Sequence, residues 1–150
     1  LVMEGVSDVG AEENLLLLVS ALIQKYGQPF EDCAPECTRE IERACAFMEQ
    51  NFDRRISLDQ ICRHGGLSKS ALLRAFTRAK GVTPYRYLET VRINREKALL
   101  EQGVPPIEAA ARTGFSDQSH FTNYFSRFIG LAPGVYREMF FNRAQTEEKG

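Results

Sequence analysis

Tryptophan is absent from this sequence of 150 residues, histidine occurs twice and cysteine four times. The two histidines, His64 and His120, are far apart, and no tight Cys/His pair completes a zinc site around Cys33, Cys37, Cys45 and Cys62, so no metal is expected. Long apolar runs are also missing. The longest is Leu15 to Val19, far short of the ~20 residues that cross a bilayer, and this excludes a membrane role. The N-terminus lacks the basic and then apolar regions of a secretory signal, so a cytoplasmic home is expected. There is no Gly-rich phosphate loop, carboxylate pair or nucleophile-and-base set at a usable spacing. Neither an enzyme nor a cofactor is therefore expected.

What is present is the composition of a folded domain, 43% hydrophobic and 26% charged. Net charge is only −1, but it divides unevenly along the chain. Residues 1–37 hold one lysine against seven acids, whereas residues 38–143 hold 17 Lys and Arg against 11 acids. A basic middle between acidic ends points toward a polyanionic partner, because clustered cations attract phosphates.

Leu15, Leu18, Val19, Leu22, Ile23 and Tyr26 recur at helical spacing, which predicts a helix over Glu12 to Tyr26 that stops at Gly27 and Pro29. Leu16, Leu17 and Ala21 make its other face apolar as well. Such a helix wants cover on both sides, from a partner subunit or a preceding domain, with packing on the rest of this chain as the alternative. Residues 28–37 are acidic and hold two prolines, so they read as a linker. Thr38 then caps a helix whose inner stripe is Ile41, Ala44, Cys45, Met48 and Phe52.

Beyond it lies an internal repeat. Leu58, Ile61 and Cys62, then Gly65-Gly66-Leu67-Ser68, then Leu72, Phe76, Gly81 and Pro84 are echoed by Ile107, Ala109 and Ala110, then Gly114-Phe115-Ser116, then Phe121, Phe125, Gly130 and Pro133. The offset is 48 at the Gly-x-Ser step and 49 from Leu72/Phe121 onward. Each copy spells a short helix, a glycine turn, a second helix capped by Ser68 or Ser116, and a glycine stop followed by proline. That is the grammar of a helix-turn-helix. A long helix over Pro84 to Gln102 joins the copies, which lie at about 57–82 and 106–131, so the fold class is all-α with tandem helix-turn-helix motifs.

The second helix of each copy has an unusual outer face. Phe121, Tyr124, Phe125 and Phe128 fix the inner side of the later one, opposite Gln118, Ser119, Thr122, Asn123 and Ser126. Those are uncharged hydrogen-bonding groups, where a merely solvated face usually carries Lys and Glu. In the earlier copy Leu72, Ala75, Phe76 and Ala79 face inward, leaving Lys69, Ser70, Leu73, Arg74 and Thr77 outward. Asn and Gln pair bidentately with adenine, Arg with guanine, and an outward leucine suits a thymine methyl. The candidate base-reading set is thus Lys69, Ser70, Leu73, Arg74, Gln118, Ser119, Thr122 and Asn123. Arg78, Lys80, Ser116 and Arg127 are the candidate phosphate contacts. His120 is expected to be half-buried beside Phe121.

The segment Gly114-Phe115-Ser116-Asp117-Gln118-Ser119-His120-Phe121, with Phe125, Gly130, Pro133 and Tyr136-Arg137, resembles the signature of the AraC/XylS transcriptional regulators. The likeness covers residues 38–141 and extends through Val91 to Arg95 and Leu99-Leu100. It implies two helix-turn-helix subdomains that place their second helices in successive major-groove segments of double-stranded DNA, about 34 Å apart. It further implies a transcription activator that touches RNA polymerase. In the family a sensing and dimerising domain ending in leucine-rich helices often precedes this unit. Residues 1–37 then read as the remnant of such a domain, with homodimerisation through Glu12 to Tyr26, and residues 142–150 as a polar tail. Three positions depart from the pattern: Glu96 stands where alanine is common, Asn123 where arginine is frequent, and Pro106 near the usual apolar start of the second motif. Two other classes remain open on the residues alone. One is a helical protein-interaction module without base preference. The other is a thiol or metal sensor built on Cys33 and Cys37.

Overall fold

The computed structural model describes residues 9–26, 37–115 and 117–147, without the side chains of 23–26, 144, 145 and 147. Eight helices account for most of them: α1 (Val9–Tyr26), α2 (Thr38–Gln50), α3 (Leu58–Gly65), α4 (Lys69–Lys80), α5 (Pro84–Glu101), α6 (Pro106–Arg112), α7 (Gln118–Ile129) and α8 (Pro133–Glu147). They form two units. Unit 1 holds α1 to α4 and the chain to Glu89, and unit 2 holds the remainder of α5 and α6 to α8 together with the short segment Phe52–Arg55.

In unit 1 the helices start and stop where side chains or glycines satisfy their free backbone groups. Ser57 and Gln60 make a reciprocal box at the start of α3: the Ser57 hydroxyl accepts from Gln60 N at 3.3 Å and the Gln60 side chain accepts from Ser57 N at 2.9 Å. Gly66, at φ 77°, closes α3 and turns the chain into α4, whose first turn is capped by the Ser68 hydroxyl accepting from Ala71 N. Ile41, Ala44, Met48, Leu58, Ile61, Leu72 and Phe76 fill the space between α2, α3 and α4. Each large side chain so enclosed contributes roughly 1.5–3 kcal/mol of transfer free energy.

The N-terminal helix begins three residues earlier than its periodicity predicts and packs its first turns on α3 and α4. Val9 is buried, and the Tyr85 ring lies 3.2 Å from where a Cβ on Gly10 would stand. Glu13 is buried too, and its carboxylate accepts from Tyr85 N at 2.5 Å. Desolvation raises the pKa of Glu13, opposed by that hydrogen bond. Further along, Leu15, Leu18, Val19 and Leu22 form an exposed stripe, with Leu15 and Leu18 each more than 60% exposed.

Unit 2 is organised around aromatic packing. Phe121 and Phe125 meet edge to face at 5.7 Å, and Phe125 meets Tyr136 at 5.5 Å, over Ile93, Leu100 and Ala109. Burial pushes the Tyr136 hydroxyl up to about 12, and it donates to Glu101 at 2.5 Å. The segment Phe52–Arg55 lies against the turn between α6 and α7. Arg92 holds it there, donating from Nε to Phe52 O at 2.9 Å and from Nη2 to Arg54 O at 3.0 Å. Gly114 is the residue that lets the two backbones meet. Its φ is +77°, and a Cβ there would stand 2.5 Å from Phe52 O.

Several sequence expectations are revised. Cys37, not Thr38, is the N-cap residue of α2, and it caps without a side-chain bond. The helix ends at Gln50, so Phe52 belongs to unit 2 rather than to the α2 stripe. Ile107, an apolar position of the repeat, is 62% exposed, and α6 buries Ala109 and Ala110, with the following Thr113 also enclosed. The tail from residue 142 continues α8 as far as Glu147. The linker over residues 28–37 lies, Cys37 excepted, outside the described residues.

Candidate nucleic-acid interface

In unit 1 the candidate side chains all stand on α4, a helix with four cations and no acid. Ser70, Arg74, Thr77, Arg78 and Lys80 are exposed, whereas Lys69 is partly covered. Ser70, Arg74 and Thr77 are spaced at i, i+4 and i+7, so they form one outward line of hydrogen-bonding groups. Lys69 is engaged within the chain: its Nζ lies 2.9 Å from Glu12 Oε2 on α1 and 3.3 Å from Asp59 Oδ1 on α3. The hydrogen bond to Glu12 raises its pKa. Leu73 corrects the sequence reading. It is only 5% exposed and joins Leu72 and Phe76 in the interior, while Ala79, assigned inward, is exposed. The buried arc of α4 is thus rotated toward Leu73, and a leucine in the interior cannot offer its methyls to a thymine.

In unit 2 the corresponding helix is α7. Gln118, Ser119, Asn123 and Arg127 are exposed and Thr122 is half-buried. The face expected from the sequence is therefore presented to solvent, with its amide and hydroxyl groups at the N-terminal half and a single cation in the last turn. The cap differs from the expectation. Asp117 is the N-cap, its carboxylate accepting from His120 N at 2.6 Å. Asp117 is 49 residues after Ser68, so the extra residue of the second copy falls inside its turn. Ser116, the residue expected in that role and as a phosphate contact, lies outside the described residues. Phe128, read as core, is 52% exposed and stacks on Tyr124 at 6.2 Å. His120 is exposed rather than half-buried, beside Phe115 at 5.6 Å.

The cysteines offer little chemistry. Cys45 and Cys62 are buried, and desolvation raises both thiol pKa values, which disfavours the thiolate needed for reaction or metal ligation. Cys33 lies outside the described residues. Among the described residues no group of three His, Cys, Asp or Glu side chains could hold a metal ion, and no helix is long and apolar enough to cross a membrane.

Residues 61–139 match a family model described as a helix-turn-helix domain. The chain is 47% identical over 110 residues to the HTH-type transcriptional regulator YbfI of Bacillus subtilis, a match covering 73% of this chain and 40% of that protein. It is 28% identical over 130 residues to the HTH-type transcriptional activator RhaR of Klebsiella pneumoniae, covering 84% of this chain and 46% of the relative. This chain therefore spans less than half the length of either curated relative. Its fold is similar to the DNA-binding domain of AdpA, a global transcriptional factor solved in complex with a target DNA, at a TM-score of 0.66 and 22% identity over 71% of this chain and 96% of that one.

Proposed function

The chain belongs to the AraC-type helix-turn-helix family, and from that premise we propose that it regulates transcription by reading two blocks of base pairs, one with α4 and one with α7. The observation that carries this reading is the outer face of α7. Gln118, Ser119 and Asn123 are exposed, uncharged and rich in hydrogen-bonding groups on a helix whose opposite side is closed by Phe121 and Phe125. Such a face is matched to base edges in a major groove. The base-contacting set is Lys69, Ser70, Arg74, Gln118, Ser119, Thr122 and Asn123, with Arg78, Lys80 and Arg127 on phosphates. Leu73 drops out because it is buried.

Activation is supported by the likeness to RhaR, a transcriptional activator, and contact with RNA polymerase by the family resemblance alone. Self-association through α1 is supported by the exposed stripe of Leu15, Leu18, Val19 and Leu22, and sedimentation equilibrium of the chain reads it out directly.

The test of the central reading is selection from a randomised duplex pool, followed by titration of the best site and a scrambled site at several salt concentrations. A preference of about 10³ or more, with a steep negative salt slope, is expected. Binding that ignores sequence returns the chain to the class of helical protein-interaction modules.

A further inference from the structure

The two recognition helices differ sharply in their own charge. α4 carries Lys69, Arg74, Arg78 and Lys80, whereas α7 carries Arg127 alone and begins at the carboxylate of Asp117. On α6 the guanidinium of Arg112 is paired with Glu108. A helix that reads bases needs flanking phosphate contacts to hold its register, and these dominate affinity. In unit 2 Arg127 is the single cation of α7 available for that role, so further phosphate contacts fall to cations outside α6 and α7.

The segment Phe52–Arg55 brings them. It is remote from α7 in sequence but is fixed to unit 2 by the two Arg92 hydrogen bonds and by its backbone contact with Gly114, three residues before the N-cap of α7. Its ring, Phe52, lies under the exposed Arg95 guanidinium at 5.3 Å. Arg54 and Arg55 are both exposed, and no carboxylate among the described residues pairs with either side chain. Asp53 is the one acid of the segment. The backbone of this strap is thus held by hydrogen bonds, while neither of its guanidiniums has a carboxylate partner among the described residues. A surface arginine pair with no structural duty, fixed to the turn that leads into a base-reading helix, is matched to phosphate oxygens.

We propose that Arg54 and Arg55 are phosphate contacts for the second helix-turn-helix, supplying the cations that α7 lacks. This rests on the DNA-binding reading above and adds residues that lie outside both motifs. The strap does not read bases. It contributes charge at a fixed place, so its loss weakens all duplexes alike.

The experiment titrates fluorescein-labelled duplexes, the selected site and a scrambled one, with the 150-residue chain at several salt concentrations. The double variant Arg54→Gln/Arg55→Gln is compared with Arg54→Lys/Arg55→Lys, and thermal unfolding by circular dichroism checks that both fold as the parent does. Each phosphate contact contributes about 0.9 to the slope of log K against log salt. The glutamine variant is therefore expected to have a slope shallower by about 1.8, with the ratio of selected to scrambled affinity nearly unchanged. The lysine variant keeps the parental slope. An unchanged slope in the glutamine variant overturns the proposal, as does a collapse of base preference at constant slope, which would mean that the strap acts only through the Gly114 turn. A parent chain that binds neither duplex removes the DNA-binding reading itself, a result separate from either of these.

Discussion

Glu96 is the least expected residue of the interior, a carboxyl at 0% exposure on α5 between Ile93 and Leu100. Desolvation is the main cause that raises its pKa, to about 8, with the Thr113 hydroxyl and the Arg92 charge acting the other way. The hydrogen bonds around it explain why the neutral form is tolerated. Thr113 Oγ1 stands 2.5 Å from Glu96 Oε1 and 2.9 Å from Ala109 O. A protonated Glu96 donates to the Thr113 oxygen, and Thr113 then spends its single proton on Ala109 O, so every donor has an acceptor. An ionised Glu96 must take that proton for itself, and its Oε2 has no hydrogen-bond partner among the described residues.

The consequence is a stability that falls as pH rises. In the unfolded chain the carboxyl ionises at its ordinary 4.5, whereas in the folded chain it holds its proton to about 8. The unfolded state therefore binds fewer protons throughout that window, and stability is present in full below 4.5 and lost progressively up to about 8. At 1.36 kcal/mol per unit the loss is about 3 kcal/mol by neutral pH, a large part of the ~5–15 kcal/mol that holds a domain together. Glu96→Gln keeps the shape and a donor for Thr113 but cannot ionise. Urea unfolding followed by circular dichroism at a series of pH values from 5 to 8 should show the two proteins close together at the acid end and the variant more stable by about 3 kcal/mol at neutral pH. Other titrating groups, Glu13 among them, are common to both and cancel in the difference. Parallel curves across the whole range would refute the reasoning, because they would mean that no proton is held at this position.

Four other outcomes are expected. Arg74→Ala should relax discrimination at one base pair, costing roughly 1–3 kcal/mol there, while Arg127→Ala should weaken all sequences alike and lower the salt slope by about one; binding-site selection with each variant separates the two effects. Glu12→Gln leaves Lys69 paired with Asp59 alone and should raise duplex affinity up to about fivefold, the worth of a surface ion pair, in a low-salt anisotropy titration. Leu73→Ala should lower unfolding free energy by about 2–5 kcal/mol, as for a core leucine, and leave the selected consensus as it was. Gly114→Ala should unfold unit 2, since its Cβ meets backbone at 2.5 Å, whereas Gly130→Ala, with nothing within 4 Å, should cost only about 1 kcal/mol from its left-handed φ of +86°; thermal melts distinguish them.

The punctuation of the fold is local, and so it was legible. Gly66, Ser68, Gly81, Gly130 and the prolines mark turns through their own backbone preferences, and α3 to α7 lie close to where these residues place them. Phase was harder to read. Leu72 and Leu73 are about 100° apart on a helix, and periodicity alone does not say which side of Leu72 the interior favours. Likewise Phe128 continues the spacing of Phe121 and Phe125, yet it lies in the last turn of α7 and is left exposed. Contacts between distant positions carry no periodic signal. Lys69 with Glu12 and Gly114 with Phe52 are such pairs, and so part of the candidate interface emerged only in three dimensions. Glu96 was visible as an oddity of residue type, but only its enclosure by the fold explains what it does.

The chain crosses between its two units after Asn51, after Arg55 and again after Glu89. No single proteolytic cut or truncation can therefore yield both units whole. A fragment beginning at Thr90 would keep Arg92 but lose Phe52 O and Arg54 O, two acceptors of its guanidinium, and would remove the backbone that Gly114 packs against. During synthesis the same order imposes a delay. Residues 52–55 emerge early and must wait for the turn at Gly114 before they can settle, so the four-residue strap joins the completion of unit 2 to a stretch of chain made long before it.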